Sequence, residues 1–311
     1  MEKIINIESK PIVSLLELLL QDKSTKKNII WATDTYEELG NGFTDKEQVD
    51  RSLLLQHADI IKPRIQKSQE AQAARTRKKA EVFTPAWLCN RMNNYCDEEW
   101  FGRKDVFNTE NDDHTWTVTE EKIQFTKGKT WEYYVDSRRL EITCGEAPYL
   151  VSRYDASTGE LIVPSKRRIG QLDRKLRVVN ENTSGYDEWL KWIIRAFEAS
   201  YGYEYQGDNL LIARVNMVLT FIDYYQERWE KDPEEKLLRK VINKIVWNIW
   251  QMDGLKDTVP LGKPYEECHQ MTLFDTLSEA SGEEAKPEAL LCKVFDWRSK
   301  ELDIFRTLKE R

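Results

Sequence analysis

Carboxylate side chains stand at the ends of three predicted strands, and they offer the clearest chemistry in the sequence. Glu141 and Glu146 flank the turn after the first strand, Glu204 lies in the second, and Asp253 follows the third. Predicted helices separate the strands, and this alternation indicates an α/β domain with a parallel sheet whose strand ends line one crevice. Carboxylates in such a crevice can accept hydrogen bonds from the hydroxyl and amino groups of a ligand.

The first of these strands leads into a sharp turn, with the sequence Leu140-Glu-Ile-Thr-Cys-Gly-Glu-Ala-Pro-Tyr-Leu150. A buried strand, a turn with one glycine and a helix start form the layout of a loop around a nucleoside-bearing cofactor. Cys144 stands beside Gly145 in this turn, and no histidine lies near it in the sequence. We therefore expect Cys144 to pack beneath the turn rather than to act as a nucleophile.

A methyl donor such as S-adenosylmethionine would use these carboxylates directly. Its ribose diol would donate two hydrogen bonds to Glu204, and its adenine amino group would donate to Asp253. Its positively charged amino-acid end needs backbone carbonyls and a carboxylate near the glycine turn. Any one of these acids could instead be a helix cap or a solvated charge, but the ordered set of three is less easily explained that way.

Four segments between about residues 80 and 260 follow one another in a characteristic order. They are Glu81-Val-Phe-Thr-Pro85, Glu141-Ile-Thr-Cys-Gly-Glu-Ala147, Tyr201-Gly-Tyr-Glu-Tyr-Gln-Gly-Asp-Asn-Leu-Leu-Ile-Ala213 and Gln251-Met-Asp-Gly-Leu255. Together they resemble the adenine-specific (N6) DNA methyltransferases of bacterial and phage restriction–modification systems. In that family the corresponding elements lie near the cofactor's methionine end, form the cofactor loop, hold the ribose and approach the adenine ring.

The resemblance implies a Rossmann-like S-adenosylmethionine-dependent methyltransferase fold, incomplete in this chain, with an N-terminal helical region. It implies S-adenosylmethionine as the cofactor and double-stranded DNA as a partner. The cofactor-binding residues that it implies are Phe83, Thr84, Pro85, Glu141, Cys144, Gly145, Glu146, Ala147, Glu204 and Asp253.

Two departures from the family pattern limit what can be carried over. The second glycine position of the cofactor loop is Ala147, followed by Pro148, and these residues restrict the backbone and crowd a ligand. The family's catalytic box, Asn or Asp followed by Pro-Pro and an aromatic residue, holds a flipped-out adenine. None of the nine prolines adjoins another, and the only Asp-Pro or Asn-Pro step is Asp232-Pro233, followed by two glutamates. No catalytic residue is therefore assigned, and no target-recognition domain is evident.

Three functions remain open at this point. The leading hypothesis is the S-adenosylmethionine-binding part of a DNA adenine N6-methyltransferase, completed by a further methyltransferase segment or a restriction subunit. The first alternative is a non-catalytic methyltransferase-fold module that binds DNA or a restriction partner. The second is a nuclease subunit, which depends on scattered acids such as Asp136, Glu141 and those of Glu120-Glu-Lys122.

The net charge of −7 argues against a uniformly basic nucleic-acid binder but allows a local basic face. One basic stretch contains Glu70 as its only acid, and its seven basic residues are candidates for contacts with DNA phosphates. A solvated helix face or a mobile linker is the alternative. These residues are Lys62, Arg64, Lys67, Arg75, Arg77, Lys78 and Lys79.

The numbers and spacing of cysteines and histidines indicate in which cellular compartment the protein works and whether it can bind a metal ion. Five scattered cysteines form no Cys-x-x-Cys pair, and only three histidines are present. This composition argues against a zinc site or a disulfide scaffold and favours a reducing cytoplasm. No apolar run reaches the length of a membrane span, and no signal peptide is recognisable at the N-terminus.

The order of patterns predicts three regions. Residues 1–80 form an N-terminal helical region, residues 81–275 a methyltransferase-like cofactor-binding domain, and residues 276–311 a linker and C-terminal segment. Within the domain, we expect a surface insertion at about residues 155–185, because this stretch is rich in charges and turn residues. A helix is predicted to begin at Thr84 as its N-cap, and a hairpin is predicted between residues 108 and 135.

Overall fold

The computed structural model describes residues 3–79, 81, 84–263 and 289–309. Within these residues the chain is a mixed α/β protein with ten α-helices and four small sheets. Among the described helices, none combines the length and the apolar character that crossing a membrane requires.

The helices and strands follow in an order that alternates around one parallel sheet. The first half contains α1 (Ile12–Leu19), β1 (Gln21–Asp22), β2 (Lys27–Asn28), α2 (Arg51–Gln56), α3 (Gln69–Lys79), α4 (Ala86–Phe101), β3 (Asn108–Glu110), β4 (Trp116–Val118) and α5 (Trp131–Asp136). The second half contains β5 (Arg139–Glu141), α6 (Gln171–Asn182), α7 (Tyr186–Glu198), β6 (Ser200–Glu204), α8 (Gly207–Trp229), α9 (Glu235–Asn248), β7 (Ile249–Gln251), β8 (Lys293–Asp296), β9 (Glu301–Ile304) and α10 (Phe305–Lys309).

The central sheet has the order β5-β6-β7, and both strand pairs are parallel. Glu141 lies opposite Gly202, and Glu204 lies opposite Gln251. Helices α6 and α7 connect the first two strands, and α8 and α9 connect the last two. The parallel sheet predicted from the alternation of strands and helices is therefore confirmed.

Helix α8 is the centre of the core. Residues 207–218 are all buried, because this helix is surrounded by other elements on every side. Gly207 starts the helix where the chain passes close to Ile30, whose carbonyl oxygen would lie 2.1 Å from an added Cβ. Gly207 N donates to Trp31 O at 2.9 Å, so the N-terminal segment is fixed directly to the beginning of α8.

The N-terminal residues share this core. Leu16, Leu19 and Trp31 belong to the same buried apolar cluster as α8 and α9. The Gln251 side chain accepts a hydrogen bond from Ile30 N at 2.9 Å and donates to Ile30 O at 2.8 Å. The stretch predicted as a helical region also includes the β1–β2 hairpin, and it packs as part of the main body.

The expected surface insertion at about residues 155–185 contains α6, which is largely buried. Leu172, Leu176 and Val179 are fully inaccessible, and they recur at helical spacing on the inner face. Arg174 is buried as well, and its guanidinium donates to Asp97 Oδ2 at 2.6 Å. The buried charges of α6 are thus satisfied inside the protein, Arg174 by a carboxylate and Lys175 by the backbone oxygens of Ser137 and Ala199. This helix is part of the core rather than of the surface.

The C-terminal segment covers the face of the sheet that carries Tyr203 and Trp250. Tyr203 and Trp250 pack against Val294 of β8 and Phe305 of α10 in a second apolar cluster. Strands β8 and β9 form an antiparallel hairpin. Of the predicted linker and C-terminal segment (276–311), residues 276–288 lie outside the described residues.

The start of helix α4 and the extent of the hairpin differ slightly from their predictions. Helix α4 begins at Ala86 with Pro85 as its N-cap, because Pro85 has the extended ψ of 149°. The predicted hairpin is present as β3 and β4, which pair antiparallel. The end of that stretch, Trp131–Asp136, is helix α5 instead.

Candidate functional site

The carboxyl ends of β5, β6 and β7 open into a cleft of about 680 Å³. The three strands are parallel neighbours, so the residues that follow them meet at one edge of the sheet. The cleft contains one predicted acid from each of the three strand ends. Its lining includes Thr84, Glu141, Gly145, Glu204, Asp253 and Leu255.

Glu204 joins the loop after β5 to the beginning of α8. Its Oε2 accepts a hydrogen bond from Gly145 N at 2.8 Å, and its Oε1 accepts one from Gln206 N at 3.1 Å. Burial raises the pKa of Glu204 to about 6, although these two N–H groups favour the charged form. The carboxyl group therefore titrates close to neutral pH while it lines the cleft.

Glu141 closes the same loop from the other end. Its two carboxylate oxygens accept hydrogen bonds from Tyr149 N at 3.2 Å and Leu150 N at 3.0 Å. Burial raises the pKa of Glu141 to about 8, and the nearby Glu204 acts in the same direction. Glu141 is thus a cleft-lining residue whose side chain also fixes the shape of the loop.

The loop itself follows an unusual backbone path. Thr143, Gly145 and Ala147 have φ angles of 46°, 55° and 65°, in the left-handed region. Ala147 is fully buried and is not among the residues that line the cleft. Alanine therefore adopts the conformation that a glycine would have at this position, and its methyl group packs inside the protein.

Cys144 packs beneath the turn, as expected. It is buried, and an added Cβ at Gly202 would lie 3.4 Å from its Sγ. Burial raises the pKa of its thiol well above the usual range, so the thiolate is strongly disfavoured.

The remaining predicted cofactor residues have different positions. Asp253 lines the cleft, and its Oδ1 accepts a hydrogen bond from Leu255 N at 3.0 Å. Glu146 does not belong to the lining: it accepts hydrogen bonds from Arg64 N at 2.6 Å and Tyr154 OH at 2.5 Å. Pro85 caps α4, and Phe83 lies outside the described residues.

A buried ionic cluster adjoins the cleft, and we define it as Tyr36, Lys67, Arg75, Glu81 and Asp208. Asp208 accepts hydrogen bonds from Tyr36 OH at 2.6 Å and Lys67 Nζ at 3.1 Å, and Arg75 lies 2.9 Å from it. Arg75 also donates to Glu81 Oε2 at 2.6 Å. Burial alone would raise the pKa of Asp208, but Lys67 and Arg75 hold it well below its usual range.

This cluster accounts for part of the basic stretch predicted to contact DNA. Lys67 and Arg75 are buried, and Arg64 donates to Thr76 Oγ1 at 2.6 Å. Their charged groups are engaged inside the protein, because they neutralise buried carboxylates or bind polar groups. Arg77 is exposed and Lys62 is partly exposed, while the side chains of Lys78 and Lys79 lie outside the description.

The polar residues of the cleft that sequence reasoning missed include Glu81, Gln206 and Asn209. Gln206 and Asn209 flank the beginning of α8, directly after the strand that carries Glu204. Their position at a strand end was the signal that could have identified them. Glu81 is part of the Glu-Val-Phe-Thr-Pro segment, but its burial depends on Arg75 and could not be read from that segment.

Two of the acids named for a nuclease form ion pairs, and one of them is Glu120, which lies 2.7 Å from Lys166. Asp136 forms salt bridges with Arg195 at 2.5 Å and Arg298 at 2.9 Å. In the described part of the chain, no group of three or more His, Cys, Asp or Glu side chains is placed to hold a metal ion.

No protein-family model matches the chain, and neither a curated protein nor a solved structure matches it.

Proposed function

We propose that the cleft binds S-adenosylmethionine, and that the chain is the cofactor-binding part of a DNA adenine N6-methyltransferase of a restriction–modification system. The observation that carries the proposal is the meeting of Glu141, Glu204 and Asp253 at the carboxyl ends of three adjacent parallel strands. Ligands of open α/β sheets bind in this position. A Rossmann-like methyltransferase fold, incomplete in this chain, is part of the proposal.

The residues of the cleft fit the groups of this cofactor. Glu204 offers a buried carboxylate for the ribose hydroxyls, and Asp253 offers one for the adenine amino group. When bound, the cofactor supplies a methyl group attached to a sulfonium. The chain's own residues would hold the nucleoside and restrict the access of water, because Glu141 and Glu204 fix the loop that borders it.

The alanine at the second glycine position does not oppose this fit. Ala147 already has a φ of 65°, and it stands outside the cleft lining. The loop therefore keeps a glycine-like path without a methyl group directed at the ligand.

Calorimetric titration with S-adenosylmethionine tests the cofactor proposal. We expect binding by the wild type and a loss of about 10- to 100-fold in affinity for Glu204→Gln, since a charged hydrogen bond contributes about 1.5–3 kcal/mol. Glu146→Gln is the matched control: it is also a buried glutamate with two donors, but it does not line the cleft. Absence of binding by the wild type at millimolar cofactor, or equal losses in both variants, would contradict the proposal.

A methyl-transfer assay on duplex DNA tests whether the chain needs a partner that supplies the catalytic box. The chain alone is expected to be inactive because it has no Asn-Pro-Pro or Asp-Pro-Pro box. Addition of a partner that carries such a box is expected to restore transfer to adenine. Transfer by the chain alone would refute the need for a partner, and cofactor binding without transfer under any pairing would favour the non-catalytic alternative.

A further inference from the structure

The two outer edges of the central sheet differ in how far the chain itself covers them. All three residues of β7 are buried. Arg214 Nε donates to Ile249 O at 2.9 Å, and Cys292 Sγ donates to Gln251 O at 3.4 Å. The carbonyl groups that point away from β6 at this edge are therefore satisfied inside the protein.

The β5 edge is open among the described residues. Arg139 N donates to Ala199 O at 3.0 Å, so this N–H group points towards β6. Successive N–H groups of a strand alternate in direction, so those of Arg138 and Leu140 point away from the sheet. Neither has an acceptor in the described part of the chain, and Leu140 O has no donor there. Leu140 is 46% exposed and Ile142 is 64% exposed, so this edge is a template for another extended segment.

Cavities lie on both faces of the β5 edge. The larger, of about 620 Å³, lies towards α4 and is lined by Met92, Cys96 and Arg139 among others. The smaller, of about 280 Å³, lies on the face that Leu140 shares with its β6 neighbour. Leu140 lines both cavities. Side chains of a strand point alternately to its two faces, so a strand added beside β5 would fill both cavities in turn. The apolar lining of the smaller cavity includes Tyr201, Trp250, Val294, Phe305 and Leu308.

The β5 edge is also basic, although the whole chain has a net charge of −7. Arg138 and Arg139 line both cavities. Nε and Nη2 of Arg139 are buried and donate to no acceptor among the described residues. Asp97 Oδ1 lies 4.0 Å from Nη2, beyond hydrogen-bond distance, and Asp97 is already bound by Arg174 and Tyr134. A carboxylate on the α4 side of an added strand would supply the missing acceptor.

We propose that the β5 edge binds an extended segment of a partner protein as a fourth strand of the sheet. Apolar side chains of this segment enter the smaller cavity, and an acidic side chain approaches Arg139. The inference goes beyond the proposed function, because none of its observations involves the cofactor. A segment bound here also borders the cleft, since Glu141 and Ile142 line both the cleft and the larger cavity.

A second copy of the chain is a poorer occupant of the same edge. Strand β5 contributes only three residues, so two paired β5 edges would share a short ladder. The acid of β5 is Glu141, and its oxygens already accept hydrogen bonds from Tyr149 N and Leu150 N. A paired copy therefore brings no free carboxylate of this strand to Arg139, whereas an acidic segment does.

The direct test uses the full chain without any nucleotide and a fluorescent heptapeptide, acetylated Val-Glu-Val-Glu-Val-Glu-Val. We expect saturable binding by fluorescence anisotropy at millimolar peptide or below. Replacing every Glu by Lys is expected to weaken binding at least tenfold, because the peptide then meets two arginines. Methylating alternate backbone nitrogens should weaken it as much, because the ladder cannot form. Absence of saturable binding at millimolar peptide, or equal affinities for the three peptides, rules out strand addition.

A matched pair of variants locates the bound peptide. Leu140→Glu puts a negative charge beside both cavities and is expected to weaken binding at least tenfold. Leu302→Glu makes the same change of charge at an exposed leucine of β9 that lines neither cavity, and it should stay within about twofold of the wild type. Equal losses in the two variants would place the peptide elsewhere and overturn the assignment to β5.

Amide hydrogen exchange on the wild type needs no substitution. Saturating peptide is expected to slow exchange at Leu140 N at least tenfold and to leave Arg139 N, which is already bonded to Ala199 O, unchanged. Unchanged exchange at Leu140 N would exclude pairing at this edge.

Sedimentation of the chain alone tests the competing occupant. A concentration-dependent dimer that Leu140→Glu abolishes would show that a second copy takes this edge, and it would overturn the acidic partner. A monomer, or a dimer that Leu140→Glu leaves intact, is expected. These measurements contain no S-adenosylmethionine, so a failure of cofactor binding and a failure of strand addition are distinguished.

Discussion

The cleft and the ionic cluster each contain a buried carboxylate close to the beginning of α8, yet these two carboxylates are stabilised in opposite ways. Glu204 and Asp208 are only four residues apart. Glu204 is held by two backbone N–H groups, and burial raises its pKa to about 6. Asp208 is held by Lys67, Arg75 and Tyr36, and despite its burial the two cations keep its pKa well below the usual range.

The difference is that the fold needs the charge of Asp208 to neutralise buried cations, whereas Glu204 lines a cleft and pairs with no cation among the described residues. Removing one member of a buried ion pair leaves its partners charged and unpaired, so Asp208 is required by Lys67 and Arg75. Glu204 has no ion-pair partner among the described side chains and faces a cleft. The comparison therefore predicts loss of stability in the first region and loss of binding in the second.

The largest expected effect is that of Asp208→Asn. The substitution leaves Lys67 buried without its counter-charge and Arg75 paired with Glu81 alone. We expect a decrease of about 3–5 kcal/mol in the free energy of unfolding. Urea denaturation at pH 7 measures it. Glu235→Gln is the control, because its pair with Arg239 is exposed and should contribute less than about 1 kcal/mol. Equal effects in both variants would show that the cluster is not a stabilising unit.

The second prediction concerns pH, for which the two regions have opposite signs. The raised pKa of about 8 at Glu141 means that its ionisation opposes folding: the opposition is absent below the ordinary value of 4.5, grows as the pH rises and levels off above about 8. The lowered pKa of Asp208 contributes stability that is present above its ordinary value of 3.8 and is lost as the pH falls below it.

Unfolding measured between pH 3 and pH 9 tests both signs. Glu141→Gln should lose less stability than the wild type between pH 5 and pH 8.5, because the amide does not ionise. The destabilisation caused by Asp208→Asn should shrink towards pH 3. Parallel pH profiles for the wild type and Glu141→Gln would show that Glu141 is not perturbed by its burial.

The smallest expected effect is that of Ala147→Gly. Glycine relieves a left-handed conformation that costs alanine about 1–2 kcal/mol, but it loses a buried methyl group worth about 0.8 kcal/mol and gains freedom in the unfolded chain. We expect the free energy of unfolding to change by less than about 1 kcal/mol. The affinity for S-adenosylmethionine should stay within about threefold of the wild-type affinity. Ala147→Val is the control for backbone strain and should be clearly destabilised. A large gain in affinity for the glycine variant would show that the methyl group obstructs the ligand.

The strands and the helices around the sheet could be predicted because their signals are local. The apolar spacing along α7 lies within that segment and predicts its buried face. The ionic cluster could not be predicted, since Lys67 and Asp208 are 141 residues apart. For the same reason the sequence of α6 predicts a surface segment: the partner of its Arg174 is Asp97, 77 residues away. A run of charged residues shows where charges are dense along the sequence, but it does not show which distant acid neutralises them.

The double hydrogen bond between Gln251 and Ile30 also determines when the protein can finish folding. The two residues are 221 positions apart. At a synthesis rate of about 5–20 residues per second, the segment around Ile30 leaves the ribosome roughly 10–40 s before its partner exists. During that interval Leu16, Leu19 and Trp31 have no completed core to enter. The nascent N-terminal segment therefore keeps these apolar side chains exposed until β7 has been made.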